Sequence, residues 1–143
     1  MAFKIEPDWE GRAHYTIIFD GGSEGNPGPG YGSYAIITRT GQKRIYRLSF
    51  GDMTSNEAEY RTLASALAEL ISIIEKGGRN PEEFTVEVRG DSALIINQIL
   101  GVWKTREPNL RTFRDEIRSL LGRFRAWRLI KVPRDEVKKE LGH

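Results

Sequence analysis

The spacing of apolar positions changes several times along this chain, and each change marks an element. Residues 15–19 form a β-rich apolar run that continues into Asp20. Residues 21–30 hold five Gly, two Pro and one Asn, and predict a loop or a twisted strand end. Residues 31–39 read as a second strand and 40–42 as a short turn. A third strand follows over 43–50, where Ile45, Leu48 and Phe50 alternate with Lys43, Arg44 and Arg47. Residues 51–54 break the alternation. Between 56 and 76 the apolar residues Ala58, Leu63, Ala66, Leu67, Leu70, Ile71, Ile73 and Ile74 fall at helical spacing. Thr54, Ser55 or Asn56 can cap the start of that helix, and Gly77-Gly78 ends it. Residues 84–89 alternate as a fourth strand, and 93–100 are helical. Residues 101–109 are irregular. Leu110, Phe113, Ile117, Leu120, Leu121 and Phe124 predict a helix over 110–124, and 126–132 a fifth strand. Pro133 can start a last short helix through Leu141.

The resulting order, β-β-β-α-β-α-α-β-α, predicts an α/β fold. Three antiparallel strands joined by short connections precede β-α-β units, so the sheet is mixed and helices pack on it. Residues 15–143 form one domain in this reading, after an arm or short extra strand at 1–14. Hydrophobic residues make up 38% of the chain and charged ones 29%, as in a soluble globular protein. No stretch approaches the roughly 20 apolar residues of a membrane span, and the N-terminus has no signal-peptide pattern. The absence of cysteine excludes disulfides and Cys-ligated zinc and fits a cytoplasmic location. The formal net charge is +2, but its distribution is uneven. Lys104, Arg106, Arg111, Arg114, Arg118, Arg123, Arg125, Arg128, Lys131 and Arg134 crowd the second half. They form either a phosphate-binding face or a set of solvated helix faces.

Three acids stand at unusual places. Asp20 ends the first strand, Glu59 lies near the start of the long helix, and Asp91 falls between the fourth strand and its helix. Ligands of open sheets collect at such strand ends. Taken singly, each acid has a simpler role: Asp20 in its own turn, Glu59 as a charge near a helix N-terminus, Asp91-Ser92 as a cap. Together, converging carboxylates repel one another unless cations neutralise them. All-oxygen ligand sets favour Mg²⁺ or Mn²⁺.

The motifs around these acids resemble those of type 1 ribonucleases H. Residues 19–30 (Phe-Asp-Gly-Gly-Ser-Glu-Gly-Asn-Pro-Gly-Pro-Gly) are similar to that family's first-strand motif. Residues 54–60 (Thr-Ser-Asn-Glu-Ala-Glu-Tyr) resemble its first-helix motif, and 90–98 (Gly-Asp-Ser-Ala-Leu-Ile-Ile-Asn-Gln) the motif following its fourth strand. The order of elements matches as well. The resemblance implies an RNase H-like fold, with three antiparallel strands, then two parallel ones, and helices on both faces. It implies an endonuclease that hydrolyses the RNA strand of RNA–DNA hybrids and leaves 5′-phosphate and 3′-hydroxyl ends. Asp20, Glu59 and Asp91, with Gly21, would hold two Mg²⁺ or Mn²⁺ ions per site. One ion would activate water and the other would stabilise the leaving oxygen. Gly21, Gly22, Ser23, Asn26, Ser55 and Asn56 would contact sugars and phosphates, and the 2′-hydroxyl would mark the RNA strand. The implied partner is the hybrid, with double-stranded RNA as a further candidate, and the implied state is a monomer.

The chain departs from the family pattern twice. The family carries a fourth acid, an Asp, in its last helix; in the ungapped register Leu141 takes that place. Glu140, His143 or Asp135 can substitute, or the site can work with three acids; Glu140 is the expected one. The alternative is a catalytically weakened domain that still binds hybrid or double-stranded RNA. The family's usual His before the last helix has no match, and His14 and His143 read as solvated side chains. The second departure is a basic handle shortened to residues 101–109. Trp103 can stack on the DNA strand with Lys104 meeting phosphate, or it can pack against the following helix. With no separate N-terminal hybrid-binding domain expected, binding should be salt-sensitive and processivity low.

Overall fold

A computed structural model describes residues 11–143. Its elements are β1 (Tyr15–Ser23), β2 (Gly28–Thr38), β3 (Lys43–Met53), α1 (Ser55–Lys76), β4 (Thr85–Gly90), α2 (Ala93–Leu100), α3 (Pro108–Leu121), β5 (Ala126–Lys131) and α4 (Arg134–Leu141). A single 3₁₀ turn, Pro81–Glu83, precedes β4. The sheet runs β3-β2-β1-β4-β5. β1–β2 and β2–β3 are antiparallel, whereas β1–β4 and β4–β5 are parallel. This is an RNase H-like fold, with α1, α2 and α3 on one face and α4 on the other.

Alternation along β1 produces the two faces. Ile17 and Phe19 join the larger core with Leu63, Leu67, Leu70, Val86, Val88, Ile95, Ile99 and Leu121. Ile18 points the other way, into a smaller core with Ala35, Val132, Val137 and Leu141. α4 is tied to the edge strand by cations that satisfy its terminal carbonyls: Arg47 donates to the Leu141 carbonyl and Lys43 to that of Glu140, both at 3.0 Å.

The long helix lies very close to the sheet because two positions lack side chains. A Cβ at Gly21 would stand 2.9 Å from the Ala58 carbonyl oxygen and 3.0 Å from the Glu59 Cα. One at Gly32 would overlap the buried Thr62 side chain. Thr54 caps α1 through a box with Glu57: the Glu57 N–H donates to the Thr54 hydroxyl at 3.2 Å and the Thr54 N–H to Glu57 Oε1 at 3.2 Å.

Several boundaries move. The Gly-rich stretch is mostly strand, since β1 runs to Ser23 and β2 starts at Gly28. The connection is closed by the Glu24 N–H donating to the Pro29 carbonyl at 2.9 Å. β3 continues through 51–53, because Met53 and Asp52 still pair with Gly28 and Pro29. α3 starts earlier, at Pro108, which suits a first helical position. Of the N-terminal arm, residues 1–10 lie outside the described residues. Residues 11–14 are anchored rather than loose: Ala13 is buried, and the Thr85 N–H donates to His14 Nδ1 at 3.0 Å. His14 also meets the Phe84 ring edge-on at 5.4 Å between centroids. It is therefore a tie between the start of β1 and β4, not a solvated side chain. Burial, with Arg39 and Arg125 nearby, lowers its pKa below the ordinary 6.5.

Gly32→Ala is expected to cost about 1–3 kcal/mol through overpacking against Thr62, measured by urea denaturation. His14→Ala should lower stability most above pH 6.5. The folded chain resists protonating this ring, so its contribution is lost as pH falls through the unfolded value.

Candidate active site

Three elements deliver the three acids to one end of the sheet. Asp20 shares the β1 face of Ile18 and stands opposite Ser33 in the ladder. Next to it, Gly21 admits the first turn of α1, and with it Glu59. Asp91 follows β4 directly, and β4 lies beside β1. The simpler roles of these acids are filled by their neighbours. Glu57, not Glu59, completes the capping box of α1. Ser92, not Asp91, caps α2, accepting from the Ile95 N–H at 3.3 Å. The turn after Asp20 is closed by main-chain groups and by Ser23, whose hydroxyl bonds the Gly25 carbonyl.

The three acids lie within one another's electrostatic field. Burial raises the Asp20 pKa and the charge of Asp91 raises it further, while Arg134, the Gly21 N–H and His143 pull it back. Burial pushes Glu59 up to about 7; a hydrogen bond with Ser92 opposes this, Asp20 and Asp91 add to it, and Arg134 opposes it. Glu59 Oε2 is buried with no hydrogen-bond partner. A buried carboxylate oxygen left unpaired is costly, and a cation satisfies it directly. Among the described residues no three acid or histidine side chains are already drawn into a metal cage. Arg134 instead supplies the positive charge, its guanidinium donating to Asp91 at 3.0 Å. The donor set is all oxygen and anionic, and its mutual repulsion suits a divalent ion.

Glu140 is not brought to this site. Leu141 is fully buried against Ile18 and Ala35, and that packing fixes the rotation of α4. Glu140 consequently points elsewhere, pairs with Lys43 at 3.5 Å, and lines a separate cavity with Thr16 and Arg39. His143 is near enough to lower the Asp20 pKa. The residue that sequence reasoning missed is Arg134. Its signal was its place at the first position of α4, straight after the Val132-Pro133 that follows β5.

The candidate substrate residues fall into two groups. Ser23, Asn26 and Ser55 join the glycine turn to the start of α1. Asn26 accepts from the Ser55 N–H at 3.0 Å, and the two serine hydroxyls lie 3.0 Å apart. Gly21, Gly22 and Asn56 border the same corner. Trp103 and Lys104 stand apart, on the segment between α2 and α3. Trp103 is 46% exposed, so it is not packed away against α3. Its main chain is held by the Asn97 carbonyl, and Gln98 donates to the Lys104 carbonyl.

A sheet of this order, antiparallel then parallel with helices on both faces, places the chain in the RNase H-like class. A family model described as "Reverse transcriptase-like" matches residues 19–139. Ribonuclease HI of Halobacterium salinarum is 36% identical over 131 residues, which are 91% of this chain and 61% of that protein. The bifunctional protein Rv2228c of Mycobacterium tuberculosis is 33% identical over 123 residues, 83% of this chain and 31% of its own. The chain thus spans less than two thirds of the length of either relative. The crystal structure of the Halobacterium RNase H1 superposes with a TM-score of 0.75 at 34% identity, covering 87% of this chain and 89% of that one. LC11-RNase H1 in complex with an RNA/DNA hybrid gives 0.78 at 31% identity, with the same coverage. The chain belongs to the type 1 ribonuclease H family.

Glu59 predicts a pH signature. Between its ordinary pKa of 4.5 and about 7, the folded metal-free chain holds a proton that the unfolded chain releases. That contribution makes stability fall as pH rises through the window. Glu59→Gln should flatten the slope of the wild-type denaturation midpoint against pH; an unchanged slope would reject the assignment.

Proposed function

We propose that this chain is a ribonuclease H, an endonuclease that hydrolyses the RNA strand of RNA–DNA hybrids and leaves 5′-phosphate and 3′-hydroxyl ends. The observation that carries the reading is the convergence of Asp20, Glu59 and Asp91, with the buried Glu59 oxygen unpartnered, in a chain related to Halobacterium ribonuclease HI. The hybrid seen with LC11-RNase H1, a neighbour of the same fold, supports the substrate.

Asp20, Glu59 and Asp91, with the Gly21 main chain, would hold two Mg²⁺ or Mn²⁺ ions. When bound, these supply the Lewis acidity that makes water nucleophilic and offsets charge on the leaving oxygen. The chain's own residues orient the substrate. Ser23, Asn26, Ser55 and Asn56 offer hydroxyl, amide and main-chain groups beside the N-terminus of α1, where a phosphate is favoured. Gly21 and Gly22 let a strand approach the backbone closely. Trp103 offers a ring face and Lys104 a charge to the strand that is not cut. Arg134 holds Asp91 in place and neutralises it until a stronger cation arrives. No residue of the site is needed as a covalent nucleophile. In this reading the domain, residues 15–143, works as a monomer in the cytoplasm; no described helix is long and apolar enough to cross a membrane.

The buried Leu141, standing where the family's fourth acid is expected, favours a second reading: a weakened enzyme that binds hybrid or double-stranded RNA. A labelled hybrid and a labelled RNA duplex, each incubated with Mg²⁺ and with Mn²⁺, separate the two. Metal-dependent cleavage of the hybrid is expected, and Asp20→Asn should reduce it about a thousandfold or more while leaving binding intact. No cleavage with either ion, with binding retained, would select the weakened form. Glu140→Gln should leave the rate unchanged, because Glu140 faces Lys43. Trp103→Ala should weaken hybrid binding by about 1–3 kcal/mol if the ring stacks on a sugar or base.

A further inference from the structure

The short helix α4 covers only part of its face of the sheet. Toward the N-terminal end of β1 the described residues leave a polar cavity of about 250 Å³ on that face. Strand register explains its lining. Arg128, Glu87, Thr16 and Ile37 sit side by side across β5, β4, β1 and β2, and Arg89 and Ile18 fill the adjoining row. Arg12 and Arg39 close the rim, where the Arg39 guanidinium donates to the Arg12 carbonyl at 3.0 Å.

At the floor lies Glu87, only 3% exposed, on a central strand. It binds Arg89 and Arg128, each at 2.5 Å. A buried carboxylate gripping two guanidiniums fixes their planes in advance. Arg128 also donates to the Gly11 carbonyl, and Arg89 reaches Glu136 at 3.8 Å. With Glu140 and its partner Lys43 included, five cations meet three carboxylates here among the described residues, an excess of positive charge. The field is felt as far as His14, whose protonation Arg39 helps to disfavour.

We infer that this cavity is a binding site for a small phosphoryl anion of about pyrophosphate size, separate from the three acids. Guanidiniums held in fixed planes match phosphate oxygens two at a time. The volume suits a di- or monophosphate group better than a whole base-paired strand. The source is either a free phosphorylated small molecule or the terminal phosphate of a nucleic-acid strand.

Inorganic pyrophosphate titrated into the full chain, with a chelator present, tests this by calorimetry and by phosphorus NMR line width. Saturable one-to-one binding is expected. Arg12→Ala combined with Arg39→Ala should weaken it at least about tenfold, with hybrid cleavage unchanged and only the small loss of stability that goes with the exposed Arg39–Arg12 carbonyl bond, because neither side chain takes part in the Glu87 ion pairs. Arg39→Lys should retain part of the affinity. A short 5′-phosphorylated oligonucleotide that displaces pyrophosphate would identify the strand terminus as the source; failure to displace it would identify the small molecule. Absence of saturable binding, or binding that survives loss of both arginines, would overturn the proposal.

Discussion

The structure depends on how closely α1 lies against β1. Gly21 and Gly32 leave out side chains that would hold the helix off, and Ala58 and Thr62 settle onto strand backbone. Two results follow from one contact. The core seals along Leu63, Leu67 and Leu70, which are fully buried. Glu59, one residue past the contact, is carried into a partly desolvated position beside Asp20. The packing that stabilises the fold therefore also raises the energy of a charged side chain.

That cost is visible as charge compensation. Asp20 and Glu59 are raised by burial and by neighbouring acids, and Arg134 acts against both shifts. Arg134 reaches the site because β5 runs parallel to β4 and α4 begins at once, so its first residue comes level with the end of β4. An arginine and a cation compete for the same carboxylate in such an arrangement. The pair is exposed on the arginine side, and its net worth is accordingly small.

Much of this was legible in the sequence. The strand alternation and the helical spacing of α1 gave the order of elements, and three ordered motifs singled out Asp20, Glu59 and Asp91 among 20 acidic residues. Other features were not legible. The extension of β1 and β2 into the glycine stretch depends on cross-strand pairing, which overrides local turn preference. Glu140 was an adjacent acid in the right helix, but a helix turns about 100° per residue, and burial of Leu141 chose the rotation. Arg134 looked like one of many basic residues. His14 looked solvated because its partner, Thr85, is far away in sequence. The misses at Glu140, Arg134 and His14 each involve a contact between segments distant in sequence, which local patterning does not encode.

The three acids belong to segments with the whole of β2, β3, α1 and β4 threaded between them. They come together only when β1, α1 and β4 are assembled, and an unfolded chain keeps them far apart. Any cation that engages all three therefore binds the native state alone, and by mass action stabilises it in proportion to the logarithm of its concentration. On the proposed function, the melting temperature of this protein would serve as a gauge of cation occupancy. On that same reading, ion concentration would govern the persistence of the fold together with its readiness for the proposed reaction.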